Sequence, residues 1–399
     1  MAMNLDGAVQ AFADRIGRPV IVFDGDLNVA AFSVHEGQID RARLSMILTH
    51  RASKRAVAMI SEHRVDRAPG AVLLPVAANV PSRVVAGLRY RGRVTGYVSY
   101  VPGEDEDPDL RDLPEVVAAR DDLGALLAAR EAERREGADH VLQLMSRLLD
   151  GQQDQRESAA DELLHDGLIS AAPQYSAMVF RAGGGDIDRS NAGARLVIDR
   201  ALKEISRISS LKAVGTVIDG EGVLVIPREI NPARLRGLVD DPLHATTRGG
   251  GGASRERLAD VRDSRREARI AVRATIRDPD RYGATAIWAD LGVDRLLLQL
   301  PLDRMSLADL PDPVAELLTA GSGPDLAKTL EVYLDSGADA QRTAQRLHIH
   351  RSTLYYRLDR IRAISDADLG DGLVRRELHV ALRVAALAGL RQDASAIEL

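Results

Sequence analysis

The sequence predicts an α+β chain of several domains that ends in an all-α unit. Strand-like runs with turn residues between them occur in two separate places, before residue 103 and again between 161 and 312. Helical periodicity governs 115–160 and most of the chain beyond residue 325. Apolar residues make up 45% of the 399 positions while aromatic residues make up only 3%, so the cores must be built from Ala, Val, Leu and Ile. That length allows two or three such cores.

Composition also narrows the function classes. With no cysteine, disulfides, thiolate metal sites and cysteine nucleophiles are excluded together. A formal charge of -6 argues against a protein that coats nucleic acid indiscriminately, because such binding scales with the phosphates neutralised. Lysine is confined to Lys54, Lys203, Lys212 and Lys328, arginine carrying the rest of the positive charge, as expected of a GC-rich coding sequence. The first residues show no basic region followed by an apolar run, and no apolar stretch elsewhere reaches membrane-spanning length, so a soluble, cytoplasmic protein without a membrane partner is expected. Nothing in the sequence calls for a cofactor or a metal.

In chain order, residues 1–103 form the first expected domain. VIVFDGDLNVAAFS after Pro19 reads as two strands about a Gly/Asp/Asn turn, and Arg83 to Val101 reads as two more about Arg91-Gly92. Helical sequence from Asp40 to Glu62 lies between the pairs. Strand pair, helices and strand pair resemble the GAF and PAS sensor modules, whose curved sheet and helices enclose a ligand pocket. On that likeness an unknown small-molecule effector is expected, with Arg83, Tyr90 and His50 near such a pocket but not assigned to it. A dimerisation module without ligand is the equal alternative.

The acidic, proline-punctuated run from Glu104 to Pro114 ends this domain. Residues 115–160 are expected to be a helical connector. Leu123, Leu126 and Leu127 make one apolar patch and Val141, Leu144, Met145 and Leu148 another, with REAERRE between them. A helix with an apolar stripe and no core of its own pairs with a copy of itself, so a homodimer or higher assembly is expected here.

Residues 161–312 show a βαββαβ order with an added basic helix, which predicts a split-βαβ sheet with helices on one face. Gly183-Gly184-Gly185-Asp186 and Gly249 to Gly252 look like phosphate loops but lack the strand-GxxxxGK-helix context, and read as flexible connections. Asp219 and Glu221 flank a hairpin turn where a cyclase of this topology would hold metal, but one acidic turn does not supply the converging carboxylates that two magnesium ions need. No catalytic residues are expected. Met305 to Pro313 and Ala320 to Pro324 read as breaks around a short helix.

The C-terminal unit, residues 325–392, holds the most informative stretch, DAQRTAQRLHIHRSTLYYRLDRIRAI from Asp339 to Ile364. Two short helices fit it, Ala340 to Leu347 and Arg351 to Ile364, with a three-residue turn. Ala344 is small enough for a close crossing, and Leu354, Leu358 and Ile361 make one inward stripe. The stretch carries six arginines against Asp339 and Asp359, reversing the sign of the whole chain. That is the charge and spacing of a helix-turn-helix whose second helix enters the major groove of double-stranded DNA. On the helical wheel Ser352, Tyr356 and Arg360 face bases, Arg351, Thr353 and Tyr355 flank them, and Arg342 and Arg346 hold phosphates. Arg357 sits at the edge of the stripe, placed either to brace the turn or to reach the DNA backbone. A last helix from Leu373 to Leu390 is expected to pack behind the reading helix.

This unit resembles the C-terminal domain of the PucR/CdaR family of bacterial transcriptional regulators. The likeness rests on Tyr333, Leu334, Asp335, Gly337, Ala344, Leu347 and His350, and then on Thr353, Leu354, Tyr356, Arg357, Leu358, Arg360 and Ile361. Arg351 departs from the residues usual there. SRREAR (Ser264 to Arg269) and DLGVDRLLL (Asp290 to Leu298) likewise resemble the degenerate cyclase-like (GGDEF-like) domain common in that family. The resemblance implies a sequence-specific, metabolite-responsive transcriptional regulator acting as a dimer or larger assembly. The alternative from the residues alone is a signalling or scaffold protein whose C-terminal helices bind another protein.

Overall fold

Two five-stranded sheets and fifteen α-helices are present in the described part of the chain. The computed structural model describes residues 4–34, 41–75, 82–102, 114–183, 187–239, 247–320 and 323–391. Chain contacts divide it into two units, Met1–Asp139 and His140–Leu399. None of its described helices is long and apolar enough to cross a membrane. The acidic run at 104–113 and Gly184, Gly185 and Asp186 lie outside the described residues.

The first unit opens with α1 (Leu5–Ile16), which sequence reading passed over. Leu5, Val9 and Phe12 make its buried face, Asn4 accepts the Gly7 N–H as N-cap, and Gly17 at φ 63° closes it in the left-handed conformation. Strands β1 (Val20–Asp24) and β2 (Val29–Phe32) form the expected first hairpin. Helices α2 (Arg41–Thr49) and α3 (Lys54–Glu62) come next, then β3 (Val72–Leu74), too short to leave a periodic signal, and the hairpin β4 (Arg83–Tyr90) and β5 (Arg93–Tyr100). The sheet order is β2-β1-β5-β4-β3, antiparallel throughout. Strand alternation sends Val20, Val22, Ala86, Leu88 and Val98 to one face, against α1, and Ile21, Phe23 and Val85 to the other, against α2 and α3. Of the three residues placed near a ligand pocket, Arg83 is buried on β4 while His50 and Tyr90 are exposed.

Helix α4 (Pro114–Asp150) spans the expected connector and runs on through Gly137, but the leucines that suggested self-pairing are packed within the chain. Leu123 and Leu127 are buried against the first sheet, and Gly124 lets α4 come so close to Arg89 that a side chain there would overlap its backbone. Leu144, Met145 and Leu148 are buried with α5 (Gln153–His165) and the second sheet. The stripe that suggested self-pairing thus belongs to two intrachain cores. Periodicity shows that a face is apolar but not what covers it.

The second unit continues with β6 (Ser176–Ala182), α6 (Ile187–Ile208), β7 (Val214–Ile218), β8 (Glu221–Ile226), α7 (Pro232–Val239), β9 (Thr247–Gly251), α8 (Val261–Arg277), α9 (Pro279–Tyr282) and β10 (Thr285–Ile287). The order β10-β9-β6-β8-β7 is a split-βαβ sheet with β10 added parallel to β9. Helices cover both faces, where one was expected. α6 and α7 pack on Met178, Phe180 and Leu224, while α8, α5 and the end of α4 pack on Ala177, Val179, Val223 and Val225.

Gly249 to Gly252 are no flexible connection. Gly249, Gly250 and Gly251 belong to β9, hydrogen-bonded between β6 and β10, and Gly252 N–H donates to the Ala177 carbonyl. The run is glycine because α8 lies directly on it. A Cβ at Gly250 would overlap the backbone at Ala268 and come within 2.6 Å of Val272 N, and one at Gly252 would overlap Ser264. Ser264, fully buried on α8, accepts the Ala177 N–H at 2.9 Å and fixes the crossing. Glu221 at the hairpin is not offered to a metal either. Its carboxylate is held by Arg181 (3.3 Å) and Arg269 (3.0 Å).

After α10 (Asp294–Leu297) come α11 (Asp312–Thr319), α12 (Gly323–Asp335), α13 (Ala340–Arg346), α14 (Arg351–Ser365) and α15 (Gly372–Ala388). The short helix read between two breaks is α11, which buries Val314 and Leu317 and lies against α14, and the first of those breaks is itself packed at Leu310. One apolar cluster runs without interruption from Ala271 on α8 to Leu387 on α15. Helix α15 packs on α11, α12 and α8, not chiefly behind α14.

An ionic contact fixes where α15 sits on the central domain. Arg383, 9% exposed, donates to both carboxylate oxygens of Asp294, which is 1% exposed, and to Asp278 at 2.6 Å. The Tyr282 hydroxyl donates to the same Asp294. Burial would raise the Asp294 carboxyl, but the Arg383 and Tyr282 hydrogen bonds and the nearby positive charges outweigh it and hold it below its ordinary value. Burial, and then the bond to Asp294 and its charge, push the Tyr282 phenol up to about 12.

Both the glycine run and the buried tyrosine have measurable effects on stability. Gly250→Ala should destabilise the second unit by about 1–3 kcal/mol or more, read as a lowered urea midpoint, because neither backbone can retreat. The unfolded chain releases the Tyr282 proton near the ordinary value of 10.0 and the folded chain only near 12, so stability should fall as pH rises between them. In Tyr282→Phe that alkaline decline of the thermal midpoint should be shallower than in the wild type.

Candidate functional site

The exposed face of α14, with α13 and the turn between them, gathers the residues singled out in the sequence. α12 ends through two consecutive left-handed residues, Gly337 (φ 70°) and Ala338 (φ 62°). Asp339 then caps α13, accepting the Arg342 N–H at 3.0 Å. Thr343 and Ala344 are buried where α13 meets α14 and α12. The turn passes through His348 at φ 54°, a conformation a non-glycine residue adopts at some cost, while Leu347 and Ile349 on either side pack into the core. His350 caps α14, its Nδ1 accepting the Ser352 N–H at 3.3 Å.

Leu354, Leu358 and Ile361 are buried, as the helical period requires. Their burial fixes the rotation of α14, so Arg351, Ser352, Thr353, Tyr355, Tyr356 and Arg360 all stand exposed. Tyr355 and Tyr356 are 53% and 64% exposed, unusual for large rings with no covering partner in the chain. Arg360 reaches the Tyr356 hydroxyl at a long 3.4 Å. Arg342, on α13, is exposed as well.

Some expected contact residues already have partners. The Ser352 hydroxyl lies 2.8 Å from His350 Nδ1 and is tied to the helix cap. Arg346 bends back, donating to Ser336 Oγ at 3.1 Å with Asp335 at 3.8 Å. Asp335 also meets His379 of α15 at 2.8 Å, so this carboxylate links three helices. Arg357 donates to the buried Thr329 Oγ1 at 3.0 Å and braces α14 on α12. The sequence had it brace the turn or reach the DNA backbone, but the brace it makes is to α12. Arg362 and Asp359 neutralise each other at 2.7 Å, which leaves the positive charge concentrated toward the start of α14 and on α13.

Sequence reading missed Thr329, Asp335 and Ser336 as supports of this face, because they lie on or just after another helix and carry no local pattern pointing to α13 or α14. His350 as a cap was legible, being a polar residue just before the first helical turn.

Residues 326–384 match the PucR C-terminal helix-turn-helix domain. An uncharacterized protein of Bacillus subtilis (strain 168), YxkF, is 35% identical over 72 residues, 18% of this chain and 24% of that protein. The carbohydrate diacid regulator of Escherichia coli (strain K12) is 37% identical over 76 residues, 19% of this chain and 20% of that protein. The matches thus span about a quarter or less of these curated relatives. A solved regulator of polyketide synthase expression from Bifidobacterium adolescentis is 17% identical, covering 64% of this chain and 100% of that chain with a TM-score of 0.29, too loose a superposition to carry an argument.

Replacing Arg357 with alanine should cost about 1.5–3 kcal/mol, the range for a hydrogen bond to a charged group, and lower the thermal midpoint of the second unit. Arg360→Ala, on the exposed face of the same helix, should leave that midpoint within measurement error.

Proposed function

We propose that this chain, whose residues 326–384 match the PucR C-terminal helix-turn-helix domain, is a sequence-specific DNA-binding transcriptional regulator of the PucR/CdaR family that reads the major groove with α14. One observation carries the reading. The core holds α14 by a single stripe and presents two uncovered tyrosines and two arginines, Arg351 and Arg360, on the opposite side. Its polar first turn, Ser352 and Thr353, is where a recognition helix meets base edges.

In this reading Arg360 and Tyr356 approach bases as a joined pair, with Arg351, Thr353 and Tyr355 beside them. Arg342 meets phosphate directly. Arg346 meets it only by leaving Asp335 and Ser336, so it contributes less than Arg342. Ser352 holds the cap and reads through its remaining hydrogen-bonding capacity. Arg357 keeps α14 at the correct height without touching DNA. A single helix-turn-helix covers one half-site, so a homodimer or higher assembly on repeated or inverted half-sites supplies the affinity. Its contact surface lies elsewhere than on the buried leucines of α4.

The antiparallel first sheet, with a strand pair toward each end of the module and α2 and α3 between them in sequence, supports a GAF- or PAS-like sensor for a small-molecule effector. The split-βαβ order supports a degenerate cyclase-like central domain, and the Glu221 carboxylate engaged by two arginines supports a structural part for it.

Electrophoretic shift with genomic fragments at two salt concentrations tests the whole. Arg360→Ala should flatten preference among sequences by about 1–3 kcal/mol, and Arg342→Ala should weaken all duplexes alike and reduce the salt slope by about one. Wild-type footprints and slopes in both variants, or no duplex binding at low salt, would overturn the assignment.

A further inference from the structure

The second unit contains a half-open cleft of about 990 Å³ whose walls come from the central domain and from the end of α15. Its floor is α8. Arg262, Arg266, Arg269, Arg273 and Arg277 recur at three- and four-residue spacing and form one stripe along that helix, with Arg265 beside them. Arg181 of β6 lines the same cleft. Seven arginines therefore line one cavity.

Three carboxylates line it too, and they are shared. Glu221 serves both Arg181 and Arg269, Asp303 serves both Arg273 and Arg277, and Asp150 meets Arg265 at 2.7 Å. Arg262 and Arg266 have no ion-pair partner among the described residues. Arg265 is 4% exposed, and its Nε is buried with no hydrogen-bond partner. Like charges at i and i+4 weaken a helix, and burial beside Arg273 lowers the affinity of Arg277 for its proton. A stripe of like charges that includes two exposed arginines without a carboxylate partner favours a multiply charged anion.

The rest of the lining narrows the chemistry. Leu149, Ile270, Ile276, Leu298 and Leu387 provide an apolar wall beside the arginines. Planar guanidinium forks pair with phosphate oxygens two at a time, and an apolar wall accepts a flat ring. The volume is at the upper end of small-molecule sites. A duplex does not fit the description, since Arg265, Arg273 and Arg277 are recessed and phosphate contacts to DNA need side chains that protrude.

We propose that this arginine-lined cleft between α8, β6 and the end of α15 binds a small phosphorylated metabolite of nucleotide size bearing at least two phosphate groups. Phosphates neutralise Arg262, Arg266 and the open side of Arg269, and the ring lies on the isoleucine and leucine wall. Leu387 and Gly389 line the same cleft one turn beyond Arg383, so the bound molecule touches both the central domain and the helix anchored to it. The site does not depend on the DNA-binding reading.

Isothermal titration of the full chain with inorganic pyrophosphate, guanosine triphosphate and guanosine tests the proposal without DNA. Both phosphate compounds should bind, the triphosphate more tightly, and guanosine alone should not. Arg262→Glu with Arg266→Glu, both exposed in the protein, should weaken binding by about tenfold or more while leaving the ligand-free thermal midpoint in place. Arg195→Glu, an exposed charge reversal on α6 at the opposite face of the sheet, should leave binding as in the wild type. Absence of heat with both phosphates at low salt would overturn the proposal. So would equal binding by the double variant, or equal loss in Arg195→Glu, which would reduce the effect to net charge.

Discussion

The buried contact of Arg383 with Asp294 and Asp278 is the constraint on which the second unit depends. Two charges, Arg383 and Asp294, are taken out of water there with Asp278 half-buried beside them, and removing either of the two would leave the other uncompensated in a low-dielectric interior, a loss on the order of 3–5 kcal/mol. Such a pairing has a strict geometry. Arg383 is on the last helix and the aspartates are in the central domain, so the C-terminal helices have one seat. The apolar cluster from Ala271 to Leu387 then closes around that seat. Apolar burial gives the strength, and the charges specify the position.

A second constraint is close approach. A chain with 3% aromatic residues cannot fill wide gaps with rings, so its layers come together through small ones. Gly250 and Gly252 let α8 rest on the sheet, Gly124 lets α4 rest on Arg89, and Ala344 lets α13 meet α14. The crossing of α8 has a further consequence. Its inner face is spent on the sheet through Ser264, Ala268 and Val272, and its arginines are thereby turned together toward a single cleft.

The same logic sets the helix-turn-helix. Three apolar residues and Arg357 fix the rotation and height of α14, and every exposed residue on its far side is placed by what is buried on the near side. Two arginines of similar sequence appearance receive different work. Arg357 is drawn to the Thr329 hydroxyl, whereas Arg360, three positions on, finds only a tyrosine on its own helix.

Local sequence determined the elements that rest on nearest neighbours along the chain. The hairpin turns, the period of Leu354, Leu358 and Ile361 and the local excess of arginine are all effects within a few residues, and these made the C-terminal unit and the strand order of the central domain legible. Tertiary structure decided what those elements meet. It put the leucines of α4 into two cores of their own chain, made a paired strand of Gly249, Gly250 and Gly251, covered both faces of the second sheet, and drew Arg346 back to Asp335. The physical reason is range. A helical period or a turn is a property of adjacent residues, but burial, ion pairing and close packing depend on partners as far off as Arg383 is from Asp278, and no local pattern names them.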